Sequence, residues 1–255
     1  DAELILIHVG VKTADKVAQV ELLISQTEID PNRVRVEFRK GDPVTCILDS
    51  CKENRVNLLI AGAMKKENLL KFYTGSIARK LCRKAKCSIL LLTDRSVIRN
   101  KCKEIVVSGD NHEKTEVTGR TANYFGKILE AEHITIVDEI DPKLAGDAAD
   151  DDAQLEQTAK KRKELKYSEE ERIEKLEQKL AAEGSLPVGH KCIFGKAGYT
   201  IGHYAAANNA DLLVMNAPSA KLGIMDRVFP HDLEFVLSDL PCCLMIVHQK
   251  DRTVA

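Results

Sequence analysis

The chain has 255 residues, 44% apolar and 30% charged, with 38 basic side chains against 39 acidic ones. That is enough for one large domain or two ordinary ones, each with its own core. With no tryptophan, six phenylalanines and five tyrosines, the composition excludes an aromatic base-stacking surface, and no nucleic-acid partner is expected. No apolar run approaches the roughly 20 residues of a membrane-spanning helix, so a soluble, cytoplasmic chain is expected. The chain opens on Asp1 without a secretory signal, and is expected to be processed or cut from something longer. Its eight cysteines include no CxxC and read as reduced thiols used as small core residues. Its seven histidines stand singly, without the spacing of a metal site.

In chain order, residues 4–9 (LILIHV) form a continuous apolar run, as expected of a strand covered on both faces. Residues 14–25 and 44–54 carry apolar positions at helical spacing, and Pro43 suits a first helical turn, where its missing N–H would have no partner. A second apolar strand follows at 58–61, then a helix at 77–85 and a strand near 85–92. The polar, basic stretch 94–102 lacks a sustained period and marks a boundary. Beyond it come a strand at 104–108, a helix near 115–129 and a strand at 133–137. Strands alternating with helices at such intervals argue for doubly wound α/β units. The insertion 141–167 opens on the acidic, small-residue stretch 141–152, expected to be a mobile loop, followed by a polar helix-prone run. Ser168 and Glu171 have the spacing of a capping box, which predicts a helix starting there and ending before Gly184. The lysine-rich patch 160–163 reads as a solvated helix face.

The order of these elements repeats. AELILIHV at 2–9 matches AEHITIVD at 131–138, and residues 41–62 match 195–216 at a constant offset of 154. AKCSILLL at 85–92 then pairs with LPCCLMIV at 240–247. The chain therefore reads as two copies of one unit, 1–94 and 103–255, the second carrying the insertion 141–167. The copies differ in charge: residues 1–102 hold 19 basic and 12 acidic side chains, the remainder 19 and 27. The first half is the one suited to an anionic ligand, unless the two halves simply attract one another.

The segments 57–93 (NLLIAGAMKKENLLKFYTGSIARKLCRKAKCSILLLT) and, more loosely, 211–247 resemble the C-terminal half of a universal stress protein domain. The whole chain apart from 141–167 and its ends looks like a tandem member of that family. The resemblance implies an α/β fold with a parallel sheet in the order 3-2-1-4-5, pairing through its last strand. A tandem chain would pair its copies internally as a pseudo-dimer, with a homodimer also open to it. Some members bind ATP through a Gly-x2-Gly-x9-Gly-Ser/Thr loop. The first copy has Gly62-x2-Lys65-x9-Gly75-Ser76, with the spacing intact and the second glycine replaced. Glycines let the chain pass close to phosphates, and Gly75-Ser76 would place free N–H groups at a helix start. Gly62 ending a strand and Ser76 capping a helix account for the same residues without a ligand. Lys65 either crowds the loop or offsets phosphate charge, and Lys66 and Lys71 add positive potential. The second copy has Asn216, Ser219 and Phe229-Pro230-His231 at these places, which Pro230 at a helix start explains without nucleotide. Asp110 matches the acidic residue that the family places near the nucleotide, and also suits a turn.

The second copy has a strand and a helix, 104–129, ahead of AEHITIVD, whereas AELILIHV begins at residue 2. The first copy therefore lacks its first strand and helix, and the family order would put that strand in the middle of a sheet. An open gap there would leave two rows of unpaired backbone groups, so upstream residues are expected to supply the strand. The alternative is a four-stranded sheet with 3–9 bonded directly to 57–61.

Three functional classes follow. The first is a stress-response regulatory module that binds ATP or AMP in the first copy and acts by a change of shape or partner. The second is a protein-interaction module, such as the cytosolic regulatory part of a cation/proton antiporter or permease tethered to the membrane. The third is an ATP hydrolase, for which no base–nucleophile constellation is visible beyond weak hydrolysis at the loop, so an enzyme is not expected.

Overall fold

The computed structural model describes residues 2–65, 72–73, 76–93, 102–146, 151–184, 186–218 and 231–248. The chain divides into two compact units, Asp1–Val56 and Asn57–Ala255.

In the first unit, strand β1 (Leu4–Val9) lies parallel to β2 (Val34–Arg39), in a register running from Leu4 opposite Val34 to Val9 opposite Arg39. The two form a sheet of two strands, so among the described residues the four-stranded alternative is not formed. Helix α1 (Ala14–Ser25) starts on Thr13, whose hydroxyl accepts from the Lys16 amide at 3.3 Å. Helix α2 (Pro43–Glu53) has Pro43 in its first turn, as its sequence requires. Its cap is Asp42, which accepts from the Thr45 amide at 2.9 Å. Glu37 of β2 ties α2 down: it accepts from Ser50 at 2.9 Å, Asn54 at 3.0 Å and Arg39 at 3.0 Å. Burial acts to raise the Glu37 carboxyl, but these hydrogen bonds together hold it below the ordinary carboxylate range. Val44 is the one fully buried apolar side chain among the unit's described residues, which is little core for a two-stranded sheet.

The second unit holds β3 (Leu58–Gly62), the hairpin pair β4 (Met64–Lys65) and β5 (Phe72–Tyr73), helix α3 (Ser76–Lys84) and β6 (Ser88–Leu92). It continues with β7 (Glu104–Ser108), α4 (Thr115–Ile128), β8 (His133–Ile140), α5 (Asp152–Glu183) and β9 (Val188–Phe194). Helix α6 (Tyr199–Ala207), β10 (Leu212–Asn216), α7 (His231–Ser238) and β11 (Cys243–Val247) complete it. One seven-stranded sheet runs β3-β6-β11-β10-β7-β8-β9. Every neighbouring pair is parallel apart from β6 and β11, which meet antiparallel. Numbered from residue 104, the last five strands lie in the order 3-2-1-4-5, as expected. The strand order reverses between β7 and β10.

The main core packs Ile105 and Val107 of β7, Ile134 of β8, Leu212 and Val214 of β10 and Met245 of β11 with Ala122 of α4. A second cluster joins Ile136, Ile140 and Cys192 to Ile173, Leu176 and Leu180 of α5. Cys82, Cys87, Cys192, Cys242 and Cys243 are buried. Burial pushes Cys192 up to about 11 and Cys82 up to about 12, so these thiols act as small core side chains. Among the described residues no helix is long and apolar enough to cross a membrane.

The capping-box expectation at Ser168 is corrected. Residues 152–183 form one continuous helix, capped by Asp151, which accepts from the Gln154 amide at 2.7 Å. Ser168 lies in its interior. Pairs four residues apart, Lys160–Glu164, Lys166–Glu170 and Glu171–Lys175, run along both sides of Ser168 and support the helix through it. The expected loop is also shorter than 141–152, since Asp141 caps a 3-10 turn at Pro142–Ala145. Because Ser168 is interior, Ser168→Ala is expected to leave thermal stability unchanged or raise it by a few tenths of a kcal/mol. At an N-cap the same change would cost roughly 1 kcal/mol, and a urea melt distinguishes the two.

Candidate functional site

The first copy's loop begins where β3 ends. Gly62 sits in register with Leu92, and the next amide, Ala63, donates to the Leu92 carbonyl at 2.7 Å. Among the described residues, a Cβ added at Gly62 would meet nothing within 4 Å, so none of them forces glycine there. Lys65 lies in the hairpin, its backbone opposite Phe72, with Met64 opposite Tyr73. Ser76 is the first residue of α3. The structure thus puts Gly62, Lys65 and Ser76 on one strand–hairpin–helix path. Gly75 and the side chains of Lys65 and Ser76 lie outside the described residues. So does most of the second copy's counterpart, including Ser219, Phe229 and Pro230.

At the end of β10, the repeat partner of β3, the arrangement differs. Asn216 stands where Gly62 stands, and its side chain is fully engaged. The amide nitrogen donates to Asp110 Oδ1 at 2.7 Å and to Thr115 Oγ1 at 2.9 Å, and the amide oxygen accepts from the Thr118 hydroxyl. Asp110 also accepts from Ser108 Oγ at 3.1 Å, and its carbonyl accepts from Thr115 Oγ1 at 2.6 Å. This network ties the carboxyl ends of β7 and β10 to the start of α4, at the point of strand reversal where open α/β sheets bind ligands. Here the chain's own side chains take up the hydrogen bonds. Asp110 is more than a turn former: it is the hub of the network. Ser108, Thr115 and Thr118 were not singled out in the sequence. The legible signal is hydroxyls at 115 and 118, three apart on one helical face and just after Asp110.

A second polar junction anchors α5. Arg172 donates to Asp138 Oδ1 at 2.7 Å, to the Gly109 carbonyl at 2.8 Å and to Glu169 at 2.6 Å. Asp138 is buried, and burial pushes its carboxyl up to about 6 against the lowering pull of the Arg172 charge. Gly109 permits the close approach of α5, since a Cβ there would meet Ile173 at 2.8 Å and Ile136 at 3.0 Å. Beside this junction lies a groove of about 460 Å³ lined by Asn111, His112, Glu116, Arg172, Lys175 and Lys179. Its lysines are taken up within the chain, Lys179 by Glu116 at 2.9 Å and Lys175 by Glu171 at 2.8 Å. Glu139 occupies the start of α6 in the same way, accepting from the amides of Gly198 at 2.8 Å and Ile201 at 2.7 Å. Among the described residues, no group of three or more His, Cys, Asp or Glu side chains is placed to hold a metal ion.

Comparison with known proteins agrees with this geometry. Residues 1–93 match the family model of the universal stress protein family. A functionally unknown protein from Pseudomonas aeruginosa PAO1, solved as a crystal structure, is 17% identical over 96% of this chain and 82% of its own, with a TM-score of 0.68. The crystal structure of a universal stress protein from Archaeoglobus fulgidus DSM 4304 is 16% identical over 96% of this chain and 85% of its own, with a TM-score of 0.61. At these identities the likeness is one of fold. A search of curated proteins found no match.

Two outcomes test the polar junctions. Asn216→Leu leaves Asp110, Thr115 and Thr118 short of partners, and a loss of about 1–3 kcal/mol is expected in the urea midpoint. Asp138 has a folded pKa above its ordinary one, so its charged form costs stability above about pH 6, and that cost is relieved as pH falls toward 3.8. Relative to Asp138→Asn, the native chain is expected to gain about 1 kcal/mol between pH 7 and pH 5. Parallel urea midpoints for the two chains would instead place the carboxyl in its ordinary range.

Proposed function

We propose, from the match of residues 1–93 to the model of the universal stress protein family, that the chain is a tandem, stress-response regulatory module with one nucleotide site. The halves are 1–94 and 103–255, the second bearing the insertion 141–167. Adenine nucleotide, ATP or AMP, binds in the first half through Gly62, Lys65, Gly75 and Ser76, and the second half is its structural partner. Its work is regulatory rather than catalytic, the ligand changing shape or partner.

One observation carries this reading: the repeat-related strands β3 and β10 end differently. At β10 the side chains of Asn216, Asp110, Thr115 and Thr118 hydrogen-bond to one another. At β3 the strand ends on Gly62, where an added side chain would meet none of the described residues. The matched family segment covers the half that has the loop, and that half also carries the excess of basic side chains. The antiparallel meeting of β6 and β11 supports internal pairing of the two halves.

Calorimetric titration and thermal shift with Mg-ATP and with AMP test the site. One nucleotide per chain is expected, with a stabilisation of about 2.7 kcal/mol when ligand stands at 100 times Kd. Gly75→Arg should abolish heat and shift, while Asn216→Leu, though less stable, should keep the binding heat. Absence of heat with the native chain, or binding retained by Gly75→Arg, overturns the assignment.

A further inference from the structure

Helix α5 is 32 residues long, and its two halves have different surroundings. From Leu165 onward, its inner face packs Ile173, Leu176 and Leu180 against Ile136 and Ile140 of β8 and Cys192 of β9. In the N-terminal stretch 152–164, every residue except Thr158 is exposed. A helix lying in water turns charged side chains outward as a rule. Here two large apolar side chains face out among the charges: Leu155 is 59% exposed and Tyr167 is 71% exposed. At 3.6 residues per turn, Leu155, Glu156, Ala159, Lys163, Lys166 and Tyr167 fall within one arc of about 120°. All six are exposed.

Charge says what this strip fits. Residues 151–167 hold four acidic and five basic side chains, so they present no strong field of one sign to a polyanion or a membrane surface. The signs are instead separated along the helix axis. Asp151, Asp152 and Glu156 come first, and Lys160, Lys161, Arg162 and Lys163 follow. Among the described residues, Glu156 and Lys163 make no ion pair within the chain, while Glu164 pairs with Lys160 at 4.0 Å and Glu170 with Lys166 at 3.5 Å. A helix graded from acid to base is complementary to the same helix laid antiparallel, whereas parallel pairing sets like charges side by side.

We propose that the outward strip of α5 is a self-association surface, through which two copies of this chain pair antiparallel about a two-fold axis beside residue 161. That register sets Leu155 against the partner's Tyr167 and Glu156 against the partner's Lys166. Ala159 lies next to the axis, where its small side chain lets the backbones approach and Lys163 reaches across. The one like-charged meeting, Asp152 with the partner's Glu170, falls at the outer end, where Lys166 already pairs with Glu170. From Leu155 to Tyr167 the contact spans about 18 Å. An interface of that size is well below the roughly 1,600 Å² of a stable complex, so the association is reversible and sensitive to salt. It is independent of nucleotide binding.

Analytical ultracentrifugation of chain 1–255 tests the pairing. A dissociation constant on the order of 100 μM is expected in about 50 mM NaCl, weakened about ten-fold in about 500 mM. Glu156→Lys sets a lysine against the partner's Lys166 and should weaken association by about ten-fold or more. The swapped chain, Glu156→Lys with Lys166→Glu, should recover it, and Asp152→Lys should tighten it. Far-UV circular dichroism checks that each variant keeps its helix. A native chain that stays monomeric up to about 1 mM, ten times the expected constant, overturns the proposal. So does association that Glu156→Lys leaves unchanged or that the swap fails to restore. Retention on heparin by a chain that stays monomeric also overturns it, making a polyanion the occupant.

Discussion

The antiparallel joint between β6 and β11 is the constraint on which the larger unit depends. Ile89 faces Ile246, Leu90 faces Met245 and Leu91 faces Leu244. Ile89, Leu91, Leu244, Met245 and Ile246 are all without exposed surface. A pair of strands such as β3 and β6 has too little apolar surface to stand alone. Fused to the five strands that begin at residue 104, it shares one core. The fusion is also covered on one side: Arg79 and Arg83 of α3 both reach Glu234 of α7, linking helices from the two parts of the chain. Exposed ion pairs of this sort add little energy, and the joint rests on the buried strands beneath them.

Given that joint, the two ends of the sheet use their polar groups in opposite ways. The part from 104 onward answers nearly every demand internally. Asn216 and Asp110 close the point of strand reversal, Arg172 anchors α5 to Asp138, and Glu139 caps α6. A half-satisfied polar network would cost more than an apolar one, so once these partners are in place, there is little room for a ligand to improve on them. Among the described residues, the β3 end has no comparable network at Gly62. Self-sufficiency on one side and openness on the other is a physical difference between two stretches whose apolar pattern is nearly the same.

That contrast also explains what the sequence reveals and what it conceals. Strand 4–9, helix 14–25, helix 43–53 with Pro43 leading, and strand 104–108 were legible because each depends on local pattern and chemistry. The repeat showed the shared order of elements along the chain, the family resemblance implied the strand order, and the apolar character of the cysteine neighbourhoods gave the burial of most of them. Helix 152–183 was misread at Ser168 because a capping-box spacing is a short-range signal, and charge pairs along 160–175 outweigh one interior serine. The hairpin at 64–65 and 72–73 left no strong period, since each strand has only two residues. The network around Asn216 joins residues about 100 positions apart, which no window along the chain contains. Arg172 was hidden for the same reason: as one more charge on a polar helix, it differs from its neighbours only through Asp138 and Gly109, both more than 30 residues away.

Burial, finally, is the property that pattern cannot assign by itself. The runs NLLIAG and DLLVMN specify the same strand with the same alternation. Yet Val214 is wholly buried and Ile60 is half in solvent, because a strand's side chains are covered only when another element arrives from elsewhere in the chain. A strand whose two faces are both apolar is written for a central place in a parallel sheet, and β3 is so written while standing at an edge among the described residues. Each apolar residue left uncovered forgoes stabilisation of about 1.5–3 kcal/mol, so natural edges tend to be short, charged or shielded.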